Sequence, residues 1–188
     1  MGKIAASDLS LLYREHSDAL YSFGCKFTSD RKMVEDCIHD VFLKLYERKE
    51  GTNDIRNLRL FLLVSLKNRL LKELSSPKLF VSIEEIPFSY APQDASVEDI
   101  HLENDRILNR KIYIQKALES LTNRQREIVY LHFIEELDYD QICQMMGISY
   151  QTIRNTVHNA LTRLRDKLGK PPIHLYFMVI FKKIRKNS

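Results

Sequence analysis

Residues 137–168 read LDYDQICQMMGISYQTIRNTVHNALTRLRDKL and contain two helical patterns separated by a glycine. Asp138 and Gln141 form a capping pair at the start of a short helix, and Gly147 ends that helix. Ser149 then supplies a hydroxyl at the start of a longer helix. A short helix, a glycine-centred turn and a second helix together predict a helix-turn-helix motif.

The second helix of this motif separates its apolar side chains from its polar ones. At about 100° per residue the apolar side chains fall within one narrow stripe; they are Ile153, Val157, Ala160, Leu161, Leu164 and Leu168. The open face carries Arg, Asn and Gln, which can make paired hydrogen bonds with base edges in the major groove. The candidate DNA contacts are Gln151, Thr152, Arg154, Asn155, His158, Asn159 and Arg163. An ordinary solvated helix face is the alternative interpretation of the same side chains.

Two helical blocks flank a connecting stretch. Thr122 and Gln125 fit a capping box for a helix predicted to end near Glu136, and residues 106–168 form the second block. The first block, residues 7–74, contains three helical patterns. Its first helix is predicted to be capped by Ser7, the second to be capped by Asp30 and stopped at Gly51, and the third to run from Leu58 to Leu74.

The connecting stretch and the C-terminal tail differ in composition from the two blocks. Residues 75–105 contain three of the chain's 5 prolines and several serines, so we expect an extended, flexible linker. The fold class predicted from these patterns is all-α, with two small helical domains joined by that linker. Residues 169–188 combine an apolar run with a basic end, which could fold back on a domain, lie on a membrane surface or bind a partner.

Composition excludes several classes of function. The formal charge of +4 permits a nucleic-acid partner. Three cysteines without a C-x-x-C pair predict neither a disulfide framework nor a metal site, and with no signal peptide or membrane span they favour the cytoplasm. The chain lacks a glycine-rich phosphate loop, H-E-x-x-H and G-x-S-x-G, so we expect no enzyme activity, no cofactor and no small-molecule substrate.

Three runs of sequence resemble one family. They are VEDCIHDVFLKLY at residues 34–46, RLFLLVSLKNRLL at residues 59–71, and the long run from Ala117 to Arg165. Each resembles the extracytoplasmic-function (ECF) group of the sigma-70 family of bacterial RNA polymerase sigma factors. The resemblance implies binding to core RNA polymerase and to promoter DNA, both as duplex and as melted non-template strand. It also suggests an anti-sigma factor as a further partner.

The resemblance carries roles to particular positions of this chain. Docking on core polymerase is implied for Asp36, His39, Asp40 and Phe42. Recognition of the minus-ten element is implied for Asn53, Arg56, Asn57, Arg59, Lys67, Asn68 and Arg69, and recognition of the minus-thirty-five element for the open face of the second helix of the motif. Among the docking residues, His39 stands where the family usually has glutamine. Among the DNA contacts, Asn155 and Asn159 stand where serine and arginine are frequent in the family, so the family's base preference does not carry over to this chain. A stand-alone helix-turn-helix regulator is the alternative function.

Overall fold

The computed structural model describes residues 6–48, 52, 55–75, 87–89, 113 and 115–168. The chain divides into two compact units, and the division falls between Pro87 and Phe88, inside the predicted linker. Every regular element within the described ranges is an α-helix, which confirms the all-α prediction.

The first unit packs three helices against one another: α1 (Ala6–Gly24), α2 (Arg31–Glu47) and α3 (Leu58–Leu74). Its core consists of apolar side chains from all three helices, among them Leu20, Phe23, Val34, Ile38, Leu45, Leu62, Leu66 and Leu70. Asp30 caps α2 as predicted, since its Oδ1 accepts a hydrogen bond from the Met33 amide at 3.0 Å. Burial of one face of each helix therefore leaves the opposite faces of α2 and α3 available for binding.

Gly24 allows α1 and α2 to approach each other closely at the end of α1. A Cβ atom added to Gly24 would lie 2.6 Å from Cγ1 of Val34. That distance is shorter than any normal carbon contact, so a larger residue here would force the helices apart.

The second unit contains α4 (Asn123–Phe133), α5 (Tyr139–Met146) and α6 (Tyr150–Leu168), preceded by helical residues 115–119. The predicted capping boxes are both present, from Thr122 with Gln125 and from Asp138 with Gln141. Helix α5 ends at Gly147, whose φ of 66° is the left-handed conformation that glycine adopts without steric cost. The predicted helix-turn-helix motif is therefore formed by α5 and α6.

Three predicted helix ends differ from the structure. Helix α1 begins at Ala6 and includes Ser7, so Ser7 is not its cap. Helix α2 ends at Glu47, before the predicted stop at Gly51. Helix α4 ends at Phe133 because the chain turns there, and Glu136, its predicted end, has a φ of 57°. The ends of α2 and α4 are set by the backbone conformation of the residues that follow, and neither difference changes which face is buried.

Phe88 belongs to the core of the second unit although it lies in the predicted flexible linker. Its side chain is only 2% exposed, and its ring centroid lies 5.5 Å from that of Tyr130 in an edge-on arrangement. Burial of a phenylalanine stabilises its position by roughly 1.5–3 kcal/mol. The expectation of an extended, mobile segment therefore does not hold at Phe88.

Candidate DNA-binding and docking surfaces

The open face of α6 carries every residue that the sequence predicted there. Ser149 caps the helix, with its Oγ accepting a hydrogen bond from the Thr152 amide at 3.2 Å. The buried side chains of α6 are Ile153, Val157, Ala160, Leu164 and Leu168, and the predicted DNA contacts Gln151, Thr152, Arg154, Asn155, His158, Asn159 and Arg163 are all exposed. Burial of the apolar stripe thus fixes which face the second unit presents to solvent.

Some side chains of this face bond to backbone carbonyl groups of the second unit, whereas two others bond to each other. The hydroxyls of Thr156 and Thr162 donate to carbonyl groups one turn earlier in α6, at 2.7 Å and 3.0 Å. Arg163 Nη1 donates to the Ser120 carbonyl at 3.3 Å. The amides of Gln151 and Asn155, by contrast, bond to each other at 2.9 Å and point away from the core.

A cluster of rings links the three helices of the second unit near the N-terminus of α6. The ring of His132 lies 4.8 Å from that of Tyr139, which in turn lies 5.6 Å from Tyr150. His132 Nδ1 is 2.9 Å from the Leu137 carbonyl oxygen. Tyr150 is 51% exposed at the first turn of α6, and sequence reasoning did not identify it as a surface residue. This ring cluster helps set the position of the helix-turn-helix.

The open face of α2 presents acidic and apolar side chains together. Asp36 and His39 are exposed as predicted. Leu43 and Tyr46 are also exposed, at 56% and 40%, although sequence reasoning did not identify them. An acidic helix face with exposed apolar side chains is suited to binding another protein.

Phe42, a predicted docking residue, lies in the core instead of on this face. It is 3% exposed, and its ring centroid is 4.9 Å from that of Tyr13 on α1. The physical reason is helical periodicity: Phe42 is one turn from both Ile38 and Leu45, which are buried. Its ring is therefore not available to a partner on the open face of α2.

Asp40 and Arg69, which the sequence assigned to two different sites, contact each other. Arg69 Nε donates to Asp40 Oδ2 at 2.8 Å, and the Arg69 guanidinium also pairs with Glu73. Hydrogen bonds to Asp40 and then to Glu73 raise the pKa of Arg69 above its ordinary value. The ion pair therefore links α2 to α3, and both side chains have a structural role.

The predicted minus-ten residues fall into distinct environments. Arg56 and Asn68 are exposed, and Arg59 is partly buried beside a small depression that His16 also lines. Asn57 caps α3, with its Oδ1 accepting from the Leu60 amide at 2.9 Å. Asn53 lies outside the described residues.

Two residues of α3 differ from the sequence prediction: Lys67 is buried, and Phe61 is partly exposed. Lys67 is 8% exposed, because it lies on the same face as Leu63 and Leu70, so its side chain does not belong to the open surface. Phe61 is partly exposed, and the Arg48 guanidinium lies 5.3 Å from its ring centroid. A partly exposed ring beside a cationic group is suited to stacking on an unpaired base.

Neither a metal-binding cluster nor a membrane-spanning helix occurs among the described residues. Among them, no group of three or more His, Cys, Asp or Glu side chains is placed to hold a metal ion. No helix within the described ranges is long and apolar enough to cross a membrane.

Comparison with solved structures and curated proteins points to one family. The structure is similar to that of the sigma factor RpoE in complex with the anti-sigma factor NepR from Bartonella quintana. The TM-score is 0.59 at 21% identity, covering 89% of this chain and 100% of that chain. A likeness at this identity supports the fold alone.

Curated relatives are similar along most of the chain. The ECF RNA polymerase sigma factor SigL of Mycobacterium tuberculosis is 24% identical over 165 residues, which cover 86% of this chain and 90% of SigL. The RNA polymerase sigma-E factor of Streptomyces avermitilis is 29% identical over 156 residues, which cover 82% of each protein.

Two family models match the two units separately. The model of sigma-70 region 2 matches residues 12–78, and that of sigma-70 region 4 matches residues 111–164. The first match covers α2, α3 and α1 from residue 12 onward, and the second covers the helix-turn-helix as far as Leu164. Both regions of the family are thus present in their usual order, and the chain belongs to the sigma-70 family of RNA polymerase sigma factors, within its ECF group.

Proposed function

We propose that this sigma factor docks on core RNA polymerase through α2, reads the minus-thirty-five element with α6, and binds the melted minus-ten element with the open face of α3. The observation that carries the proposal is the exposed polar face of α6 within a helix-turn-helix, in a chain whose other unit matches sigma-70 region 2. No bond is made or broken by the chain itself, since recruitment and DNA binding account for the function.

The proposed minus-thirty-five surface combines base-reading and phosphate-binding side chains. Gln151, Asn155 and Asn159 present amides that can bond to base edges in the major groove. Arg154, Arg165 and Lys167 are exposed and cationic, so they can neutralise phosphates beside that groove. His158 and Thr152 lie on the same exposed surface.

The proposed minus-ten surface is smaller than the sequence predicted. Asn68 and Lys72 are exposed on the side of α3 opposite its buried face, and Phe61 lies about two turns before Asn68 on the same side. Arg56 is exposed just before α3. Stacking of an unpaired base on Phe61 would offset part of the few kcal/mol that unstacking costs. Lys67 and Arg69 are left out of this surface because one is buried and the other is held by carboxylates.

The proposed polymerase-docking surface is the open face of α2, formed by Asp36, His39, Leu43 and Tyr46. Its exposed apolar side chains supply area that a partner can bury, and Asp36 supplies charge for orientation. The polymerase would hold both units at once, so the second DNA contact becomes intramolecular after the first. This work takes place in the bacterial cytoplasm, where polymerase and promoter DNA are found. An anti-sigma factor would act by covering one of these surfaces.

Reconstitution of transcription tests the proposal. The full-length protein would be mixed with bacterial core RNA polymerase, any complex isolated, and the transcripts made from genomic DNA of the source organism sequenced. We expect a stable complex whose transcripts start downstream of one shared pair of spaced motifs. Leu43→Ala and Tyr46→Ala should weaken complex formation, while Leu11→Ala, which truncates a comparably exposed apolar side chain of α1, should leave it unchanged.

A stand-alone regulator would give a different result. Such a protein would form no complex with core polymerase under conditions in which a control sigma factor binds. It would nevertheless bind a specific DNA duplex tightly by itself. That pair of outcomes would overturn the proposal and favour a conventional helix-turn-helix regulator.

A further inference from the structure

The side-chain amides of Gln151 and Asn155 bond to each other at the centre of the open face of α6. Gln151 Nε2 donates to Asn155 Oδ1 at 2.9 Å, one turn further along the helix. At about 100° per residue, Asn155 lies nearly opposite the stripe of Ile153, Val157 and Ala160 that is buried in the second unit. The two amides therefore face whatever lies against the middle of α6.

The mutual bond leaves a defined set of hydrogen-bonding groups directed outward. The Gln151 carbonyl remains an acceptor, and the Asn155 amide nitrogen remains a donor. Turning both amides over would exchange the roles of the two residues and still leave one acceptor beside one donor. Because the bond favours one arrangement of the pair, less side-chain freedom is lost when it binds a base edge.

Taken one base at a time, only adenine matches an adjacent acceptor and donor in the major groove, and a G·C pair offers these two groups only across its two bases, as guanine O6 beside cytosine N4. Adenine presents its N6 amino group as a donor beside N7 as an acceptor. Guanine presents two acceptors and would leave the Gln151 carbonyl unpaired, while thymine places a methyl group next to its single acceptor. Cytosine presents a donor and no neighbouring acceptor, so the Asn155 donor would be unpaired. An unpaired polar group in a desolvated interface weakens binding substantially.

We propose that Gln151 and Asn155 act as one unit that reads a single adenine in the minus-thirty-five element. This inference rests on the proposed function and deepens it by assigning a base to two residues of the α6 face. Arg154 and the other cations of α6 then contribute to affinity for any duplex, and the amide pair contributes the preference for adenine at one position.

The alternative role of the pair is purely structural. Side-chain bonds between residues four apart stabilise a helix slightly, without any effect on DNA sequence preference. A second pair of the same spacing provides a matched control, since Gln115 Nε2 donates to Glu119 Oε1 at 3.3 Å outside the helix-turn-helix. Loss of that bond should change helix stability by a similar amount and leave base preference unchanged.

The test uses the complete holoenzyme and a promoter recovered in the reconstitution described above. Each base pair of the minus-thirty-five element would be replaced in turn, and open-complex formation measured for the wild type, Gln151→Ala, Asn155→Ala, the double variant and Gln115→Ala. For wild type and Gln115→Ala we expect one A·T pair at which replacement lowers complex formation by about 5- to 150-fold. Both single variants should lose most of this preference at that same position, and the double variant should lose little more.

Modified bases identify the atoms that are read. At the sensitive position, 7-deazaadenine removes the N7 acceptor and purine removes the N6 amino group, and each should reproduce most of the loss for the wild type but not for Asn155→Ala. An unchanged preference for adenine in both single variants would overturn the inference, as would loss of preference at a G·C pair. Because all variants are compared on a promoter that the wild type already uses, either result would leave the proposed sigma function intact.

Discussion

Neighbouring residues Phe42 and Leu43 of α2 have opposite surroundings and should respond oppositely to truncation. Phe42→Ala removes a ring that is 3% exposed and packed on Tyr13, so we expect the free energy of unfolding to fall by about 3–5 kcal/mol. Leu43→Ala removes a side chain that is 56% exposed and should change it by less than about 0.5 kcal/mol. Urea denaturation followed by circular dichroism measures both.

The Leu43→Ala variant also separates an effect on polymerase binding from an effect on stability. Leu43→Ala should weaken binding to core polymerase in a pull-down or titration, although the protein remains as stable as the wild type. If Leu43→Ala bound polymerase normally while its neighbours on the open face also proved neutral, α2 would not be the docking element.

The Cys37 thiol provides a pH-dependent contribution to stability. Burial raises its pKa from 9.0 to about 11. The folded state thus holds the proton more tightly than the unfolded state, so the contribution is complete below pH 9 and is lost as the pH rises towards 11. We expect the stability advantage of the wild type over Cys37→Ala to shrink by on the order of 1–3 kcal/mol between pH 8 and 10.5. Urea denaturation at several pH values measures this difference. If the difference in free energy of unfolding between the wild type and Cys37→Ala stayed constant from pH 8 to 10.5, Cys37 would not titrate in this way.

Some site residues could not be predicted from the sequence because the burial of their side chains depends on packing. Helical periodicity alone places Phe42 with the buried Ile38 and Leu45, and only the family resemblance assigned it to a partner. Lys67 was also assigned to DNA through the resemblance, yet it is buried in α3. Leu43 and Tyr46 were missed because an apolar residue is not by itself a surface signal. A resemblance transfers the position of a residue, whereas the direction of its side chain follows from packing.

At the scale of the elements, the turn between α5 and α6 depends on the conformation of Gly147. Its φ of 66° is disfavoured for a residue with a Cβ, although an added Cβ would meet nothing within 4 Å. We therefore expect Gly147→Ala to destabilise the second unit by about 1–2 kcal/mol through backbone strain alone. Gly147→Asn should recover part of this loss, because asparagine tolerates the left-handed region better than alanine.

Thermal denaturation of these two variants and the wild type measures the effect. Equal losses for alanine and asparagine would indicate a steric cause and contradict the strain argument. Binding of the holoenzyme to promoter DNA should fall more for Gly147→Ala than for Gly147→Asn, because the turn sets the direction of α6.

Helix starts were predicted better than helix ends and isolated contacts. The capping boxes of Thr122 with Gln125 and of Asp138 with Gln141 are local hydrogen-bond patterns, and both are confirmed. The end of α4 was misplaced because the chain turns after Phe133 and the Leu137 amide bonds back to the Leu131 carbonyl at 3.0 Å. Burial of Phe88 against Tyr130 depends on residues far apart in sequence, so no periodic pattern could predict it.

At the scale of the whole molecule, the proposed binding surfaces belong to two separate compact units. The faces of α2 and α3 lie on the first unit, and the face of α6 lies on the second. Neither DNA surface needs to be strong when the chain and the polymerase keep the other surface nearby. The covalent connection between the units is therefore expected to be a functional part of the protein.

Cleavage of that connection gives the prediction for the molecule as a whole. A protease site inserted between residues 76 and 86 would leave Phe88 with the second unit, whose core it joins. Before cleavage the protein should support promoter-specific transcription by core polymerase. After cleavage, transcription at limiting protein concentration should fall on the order of 10²-fold or more, because the second contact loses its high effective concentration. The wild type treated with the same protease controls for other cuts. Undiminished transcription from the two fragments would mean that the polymerase alone supplies the coupling, and that the connection serves only to deliver both units together.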